Sequence, residues 1–558
     1  MDGGEAMLEG LRTLGVDHVI SSPGSEWGAF WEAIARQSVE RTPGPKYLSC
    51  WHETLAANMA LGYTMATGRM QAVVLHAGVG LLQGSVGLHA AHIQNMPMLV
   101  FSGESLTYGE RDALDPGQQW YQNLSVVGGP QRMVEPYVKW ASQAGSVETL
   151  YEMVVRGGHM AQRTPMGPVY LNVPIETQLA SWTKPARLAK TTPFTPPRAP
   201  VEDIERVAAL LSSAREPVII TEAIGRDPGG YAALVALAEK LALPVIEPQS
   251  RIFASFPREH PLHQGSSLKP FLESADLVLV VRCRGPWYPP ARRPPNASIV
   301  VIDEDPYRGN MVYQSLHADM VLEGDAVFAL QTLAATVKVG AGVKERLARH
   351  AAAHRKIEQA HAAVFPAARM KKPIDPAWLC AALGEALPAN TVYLDETVTH
   401  RAALDRHLPN RGQGSYLKVR GGLGQGLGHA LGVRLAVADR LVVALVGDGS
   451  YLYNPVVQAL GFAAQAGLPI LIVIFNNRSY RAMREEHLRY YPDGIAAEHE
   501  LFVGEDIGAL PDLSRFGDAF GGWGKRVEDP RQLTAAIQEA LTAVKGGRTA
   551  ILDVILDA

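Results

Sequence analysis

Apolar residues along the chain fall into two recurring patterns. Apolar-dominated runs of strand length at residues 72–75, 98–101, 168–173, 218–221, 277–281, 299–302, 441–446 and 469–475 read as parallel strands buried on both faces. Shorter runs at 18–20 and 244–246 read the same way. Between them lie segments with helical spacing: 5–14, a stretch opening near Glu53 with Leu55, Ala56, Met59, Ala60 and Tyr63, a charged alanine-rich stretch at 343–363, and 455–466. Strand alternating with helix predicts an α/β chain built on doubly wound parallel sheets. A proline-rich linker at 183–200 and a turn-rich segment at 370–376 divide it into three domains, expected at 1–185, 201–340 and 375–558. No repeat of 20–50 residues is evident, although the first and third domains could share a fold without sharing visible sequence.

Composition narrows the class without naming a function. A chain of 558 residues exceeds a single core. With 47% apolar and 19% charged residues it is of ordinary globular character. A formal net charge of −4 and the lack of a basic tract give no reason to expect nucleic acid. The longest apolar runs are strand-sized, so no membrane span is expected. The first residues, MDGGEAMLEGLRTLGV, lack the basic start and apolar run of a signal peptide. A soluble cytoplasmic protein is the expectation. Cys50, Cys283 and Cys380, odd in number and far apart, argue against a disulfide framework or a structural zinc site and read as small buried hydrophobes.

The most informative stretch is 441–479. A buried strand ends in Gly447-Asp448-Gly449-Ser450, a helix follows, and a second buried strand ends in Asn476-Asn477. In a βαβ unit both polar clusters fall outside the carboxyl ends of neighbouring strands, where open α/β sheets bind ligands. One carboxylate, one amide oxygen and glycine-freed backbone amides suit a hard cation bridging a diphosphate. Asp-Gly alone is equally a tight turn, but the paired clusters are harder to obtain by accident.

Gly447-Asp448-Gly449 followed by Asn476-Asn477 resembles the diphosphate–magnesium motif of thiamine diphosphate enzymes, with a slightly longer interval here. The resemblance implies thiamine diphosphate and Mg2+ as cofactors. It makes Asp448, the Asn477 side chain and the main-chain oxygen of Ser479 the metal ligands, with Gly447, Gly449 and Ser450 against the cofactor. It covers nearly the whole chain, in the order pyrimidine-binding, middle and diphosphate-binding domain. Trp51-His52-Glu53 opening a helix with Met59-Ala60-Leu61-Gly62-Tyr63 is similar to the stretch that supplies a carboxyl to the cofactor's pyrimidine ring. A carboxyl kept in an apolar pocket holds its proton more tightly and can pass it to that ring. Glu53 takes this role, although a Glu in a first helical turn otherwise only complements the helix dipole.

Further positions follow from the same resemblance. Gly421-Gly422-Leu423-Gly424 fails the dinucleotide fingerprint, because Leu427 stands where the third glycine belongs. It reads either as a packing turn or as the benzoylformate decarboxylase-like GGLG, in which Leu423 bends the cofactor and main-chain atoms of Gly421 and Leu423 hold the pyrimidine. Thr397 and Tyr480 match diphosphate contacts, although a hydroxyl at a strand end often only caps a helix. Ser25 and His76 resemble the pocket serine and histidine of benzoylformate decarboxylase, although Ser25 also reads as a helix cap or turn hydroxyl and His76 as a strand-end histidine bonded to main chain. Gln118 or Gln119 sits where acetolactate synthase-like enzymes place a pocket glutamine. His89 and His92 read as structural. Arg282, Arg284, Arg292 and Arg293 could hold an adenine nucleotide such as FAD, but a solvated surface loop is the preferred reading. One of Arg478, Arg481 and Arg484 could pair bidentately with a substrate carboxylate, although arginines at an exposed helix start are common.

The expected activity is cleavage or formation of a C–C bond on a small 2-oxo acid, first as an acetolactate synthase-like carboligase. A benzoylformate decarboxylase-like lyase or a diketone hydrolase is the alternative, and a cofactor-binding subunit without turnover a third. The family implies a homodimer or homotetramer with active sites between subunits.

Overall fold

Three separate parallel sheets carry the chain in a computed structural model that describes all residues except 23, 105, 107–127, 189–193, 288, 312–313, 315, 509 and 558. The first sheet contains β1 (His18–Ser21), β2 (Lys46–Ser49), β3 (Gln71–Leu75), β4 (Met98–Glu104), β5 (Ala141–Gln143) and β6 (Pro168–Pro174), in the order β2-β1-β3-β4-β6-β5. Every pairing in it is parallel. The second contains β7 (Pro217–Thr221), β8 (Val245–Ile246), β9 (Leu277–Val281), β10 (Ser298–Asp303) and β11 (Met320–Glu323), in the order β11-β10-β9-β7-β8. The third contains β12 (Val392–Glu396), β13 (Tyr416–Lys418), β14 (Val442–Gly447), β15 (Leu471–Asn476), β16 (Trp523–Val527) and β17 (Ala550–Ile555), in the order β13-β12-β14-β15-β17-β16. Counted from its own first strand, the third sheet repeats the order of the first.

The described residues form two compact units. One comprises Met1–Thr195 with Arg420–Ala438 and Asn454–Ala466. It holds the first sheet and the helices α1 (Gly3–Thr13), α2 (Gly28–Glu40), α3 (Glu53–Thr67), α4 (Val79–Ile93), α5 (Gly426–Ala436) and α6 (Val456–Ala466). Asp2 caps α1 by accepting the Glu5 amide, and Met7, Leu8 and Leu11 pack that helix on Val74, Phe101 and Leu150. Helix α3 is buried at every position from Leu55 to Met65, as an all-round apolar helix must be. It crosses α5 so closely that a Cβ on Gly62 would lie 2.2 Å from the His429 oxygen, and one on Gly432 would lie 2.0 Å from the Met59 oxygen. Glycine is what permits this backbone approach.

The other unit comprises Pro196–Val419, Asp439–Tyr453 and Gly467–Ala558, and holds the second and third sheets. Arg251 joins them. Its guanidinium lies 3.5 Å from Glu247 and 3.3 Å from Asp405, and stacks over the Tyr416 ring at 4.3 Å. Main-chain bonds from Ala254 to the Tyr416 oxygen and from Lys418 to the Ile252 oxygen run alongside.

Among these elements the sequence reading misses α2, α5, β2, β5, β11, β12, β13, β16 and β17. Strands β2 and β16 are edge strands with largely half-exposed residues, so neither shows an apolar run. In β12 and β17 the run is broken by carboxylates that the fold nevertheless buries, Asp395 and Asp553. Gly447-Asp448-Gly449 is not a free turn: a short helix, Asp448–Tyr453, begins directly at the end of β14. All three cysteines are buried and reduced, as expected. Among the described residues no helix is long and apolar enough to cross a membrane.

Candidate active site

In the first unit, the carboxyl ends of β1 and β3 bring together residues far apart in sequence. Beyond β1 a short 3-10 segment, Ser25–Trp27, is fastened to the end of β3 by the Trp27 indole N–H on the Leu75 oxygen at 2.9 Å. This places Glu26, 1% exposed, against His76. His76 Nδ1 lies 2.9 and 3.1 Å from the two Glu26 oxygens, and the Ala77 amide donates to Glu26 Oε1 at 2.6 Å. An ionised carboxylate only accepts, so Nδ1 carries the hydrogen and Nε2 is where a proton is gained or lost. The Glu26 hydrogen bond raises the His76 pKa above the ordinary value, against the opposing effect of burial, with Glu53 adding to the rise.

Glu53 is the first residue of α3, whose N-cap is His52 accepting the Thr54 amide at 3.1 Å. The Glu53 side chain is partly buried. A Cβ on Gly80 would lie 2.7 Å from His76 Cβ and 3.1 Å from Glu53 Oε1, so both side chains crowd the start of α4 where glycine leaves room. Gly24 and Gly103 do the same for the Glu26–His76 pair: a Cβ on Gly24 would lie 2.0 Å from His76 Nδ1, and one on Gly103 would lie 2.1 Å from Glu26 Cγ. Ser25 is solvent-exposed beside this pair. Glu26 escapes the sequence reading because an acid opening a helical segment ordinarily only complements the dipole. Its burial is set by the distant Leu75 and Ala77.

The same unit holds Gly421 and Leu423. Gly421, Gly422 and Gly424 have φ of 111°, 137° and 88°, conformations that L side chains rarely adopt. A Cβ on Gly421 would lie 2.6 Å from that of Ala90 on α4, and Leu423 stands 40% exposed between the glycines. The glycines therefore serve close packing and also present a large apolar side chain at the surface. His89 and His92 lie on α4. Gln118 and Gln119 lie outside the described residues.

The second unit gathers the polar cluster of the third sheet at the carboxyl ends of β14 and β15. Asp448 is nearly buried; its Oδ1 accepts the Gly449 amide at 2.8 Å and its Oδ2 the Arg478 amide at 2.6 Å. Asn477 Oδ1 accepts the Ser479 amide at 3.1 Å, and Arg478 between them takes a left-handed φ of 59°. Ser450 is buried on the short helix, and Gly449 makes room for the Tyr480 ring, which would otherwise meet a Cβ at 2.6 Å. Burial pushes the Asp448 carboxyl up to about 6 even though backbone N–H groups favour its charge. No described Lys or Arg pairs with it. A carboxylate with no described cation paired to it, near an amide oxygen at the next strand end, fits a hard divalent cation.

Thr397, at the end of β12, spends both its amide and its hydroxyl on Asp395 Oδ1 at 2.7 Å. To donate to a phosphate, the hydroxyl would have to turn away from Asp395. Arg481 pairs with Glu485 at 2.8 Å, and Arg484 with Asp506 at 3.5 Å while stacking on Phe502.

The solvated-loop reading of the middle-domain arginines needs correction. Arg292 and Arg293 are exposed, but Arg282 is 5% exposed, with Asp227 and Glu304 each 2.7 Å from its guanidinium. Arg284 binds Glu222, and Arg226 binds Glu304. Burial alone would raise the Glu304 carboxyl, but Arg226 and Arg282 hold it below the usual carboxylate range. The sequence hides this network because its acids and bases come from three different strand ends.

Comparison with known proteins identifies the family. The N-terminal TPP binding domain of thiamine pyrophosphate enzymes matches residues 1–127, the central domain 204–333 and the C-terminal TPP binding domain 396–554. Benzoylformate decarboxylase of Pseudomonas aeruginosa is 27% identical over 504 residues, 86% of each chain. The acetolactate synthase isozyme 3 large subunit of Escherichia coli is 24% identical over 577 residues, covering 100% of this chain and 95% of its own. Among solved structures, a thiamine diphosphate-dependent 4-hydroxybenzoylformate decarboxylase of Rhodococcus jostii RHA1 superposes with a TM-score of 0.81 at 25% identity, covering 100% of this chain and 99% of its own. With all three domain models in order along one chain and three parallel α/β sheets to match, this protein belongs to the thiamine pyrophosphate enzymes, in their decarboxylase and carboligase class.

Proposed function

We propose that this enzyme decarboxylates a 2-oxo acid without oxidation and releases an aldehyde. The supporting observation is the Glu26–His76 pair: a buried carboxylate fixes one imidazole nitrogen and favours the protonated ring, leaving a general acid–base group beside Glu53. When bound, thiamine diphosphate supplies a nucleophilic carbon and an electron sink for the bond that breaks. This chain's residues do the rest. Glu53 would exchange a proton with the pyrimidine ring, main-chain atoms of Gly421 and Leu423 would hold that ring, and the Leu423 side chain would lie against the cofactor. Asp448, Asn477 and the Ser479 oxygen hold Mg2+, with Gly447, Gly449, Ser450, Thr397 and Tyr480 around the diphosphate. His76 moves a proton at Nε2 to or from the substrate, and Ser25 orients the substrate carboxylate by hydrogen bonding. The pyrimidine half-site is assigned to residues 1–185 and the diphosphate half-site to 375–558, meeting between subunits of a homodimer or homotetramer.

Carboligation of the acetolactate synthase type, the first expectation from sequence, becomes the second reading. The full-length match to acetolactate synthase chains supports it. A proton donor at the reacting carbon favours the aldehyde, because protonation competes with addition to a second carbonyl. The test is incubation of the Mg2+- and cofactor-loaded enzyme with benzoylformate, pyruvate and 1,2-diketones separately, with products identified by mass. Aldehyde and carbon dioxide from an aryl or small 2-oxo acid are expected. Acetolactate from pyruvate without aldehyde would overturn the reading. In the same assay Glu53→Gln is expected to lower kcat by on the order of a hundredfold or more while cofactor affinity stays within about tenfold.

A further inference from the structure

Asp553 lies on β17, directly beside the strand that carries the paired asparagines, and it is fully buried. A carboxylate inside a sheet is costly unless its oxygens are satisfied, and none of the described Lys or Arg side chains forms an ion pair with this one. Its two oxygens are used asymmetrically. Oδ1 accepts the side-chain N–H of Asn476 at 2.8 Å, and Oδ2 accepts the backbone amide of Leu513 at 3.2 Å. The first bond dictates how the Asn476 amide faces. With its nitrogen committed to Asp553, its oxygen turns the other way and accepts the backbone N–H of Arg478 at 3.1 Å. That N–H is the one shared with Asp448 Oδ2 at 2.6 Å. Arg478 holds its left-handed φ of 59° in the middle of this bend. A continuous chain therefore runs from Asp553 through Asn476 and the Arg478 amide to Asp448.

We propose that Asp553 is a positioning residue for the metal loop. By fixing the orientation of Asn476, it holds residues 476–479 in the bend that presents Asn477 and the Ser479 oxygen alongside Asp448. Partners behind metal ligands commonly act in this way, and losing one weakens metal binding about 10–100-fold. This inference rests on the reading of Asp448, Asn477 and Ser479 as the ligands. Asp553 itself touches neither metal nor substrate, so its removal acts on cofactor loading and leaves the chemical step intact.

The experiment is a Mg2+ titration at fixed thiamine diphosphate, with cofactor binding followed by near-UV circular dichroism, on wild type, Asp553→Ala and Asp553→Asn. For Asp553→Ala the Mg2+ half-saturation is expected to rise about 10–100-fold, with kcat at saturating Mg2+ and cofactor within about threefold of wild type. In Asp553→Asn an NH2 group must oppose either the Asn476 or the Leu513 donor, so a rise of about tenfold is expected. This variant also carries the test if Asp553→Ala does not fold. A half-saturation within about twofold of wild type in the folded variants overturns the proposal. So does a fall in kcat at saturation with an unchanged half-saturation. Wild type that binds the cofactor without any need for Mg2+ removes the ligand reading instead, and the inference with it.

Discussion

Glu26 has its oxygens occupied by the His76 imidazole and the Ala77 amide, so the charge state of His76 depends on it. In Glu26→Gln the carboxylate is gone, and the His76 pKa is expected to fall towards its ordinary value. With His76 as the proposed proton donor, the basic limb of the kcat/KM profile is expected to move to lower pH; an unmoved limb would place the donor elsewhere. The sign for stability follows from the same shift. A base whose folded pKa is raised contributes stability that is full below its unfolded value and lost as pH rises through the folded one. Asp448 behaves in the opposite sense. Its carboxyl, pushed up to about 6 by burial, binds a proton more tightly in the folded protein without metal than in the unfolded chain. The metal-free protein should therefore gain stability as pH falls through that range. If Asp448 holds Mg2+ as proposed, the cation must displace this proton, so its half-saturation is expected to rise about tenfold per pH unit below about 6 and to level off above about 7. Cofactor retention measured against Mg2+ at several pH values checks this.

Elements in this fold are held by backbone proximity as much as by side chains. The α3–α5 crossing depends on glycines whose replacement meets carbonyl oxygens, which cannot move aside as a flexible side chain can. Gly432→Ala is expected to destabilise the protein by at least about 1–3 kcal/mol. A suitable control is Gly28→Ala, where an added Cβ meets nothing within 4 Å and φ is already helical at −51°. That change is expected to be neutral or stabilising by up to about 1 kcal/mol. Paired chemical denaturation curves decide between them, and equal midpoints would contradict the crossing geometry.

For the molecule as a whole, the repeated strand order of the first and third sheets gives the Glu26–His76 and Asp448–Asn477 clusters the same architectural address, the carboxyl ends of the central strands. Within the second unit, the junction of the second and third sheets rests on Arg251, 3% exposed between Glu247 and Asp405. Arg251→Ala would leave the Asp405 carboxylate without its cation and Glu247 with only His263, 3.3 Å away, and a loss of about 3–5 kcal/mol is expected. The loss should shrink at low pH, where those carboxylates take up protons. Denaturation at two pH values reads both effects; a loss that does not change with pH would point to packing alone.

The sequence by itself determined the α/β class, the buried central strands and the polar clusters at Asp448 and Asn477, because each is written in contiguous residues: an apolar run, or a short motif at a strand end. It also placed Glu53 at the start of a helix. Tertiary structure alone decided the fate of isolated acids and bases. Glu26 pairs with His76 across 50 positions, Asp553 with Asn476 across 77, and Arg282 with Glu304 across 22. In sequence an acid inside an apolar run only weakens the strand signal, and an arginine between strands looks solvated. Whether such a charge is buried depends on which strand end arrives beside it, and strand order in a parallel sheet is set by crossover packing that no local pattern records.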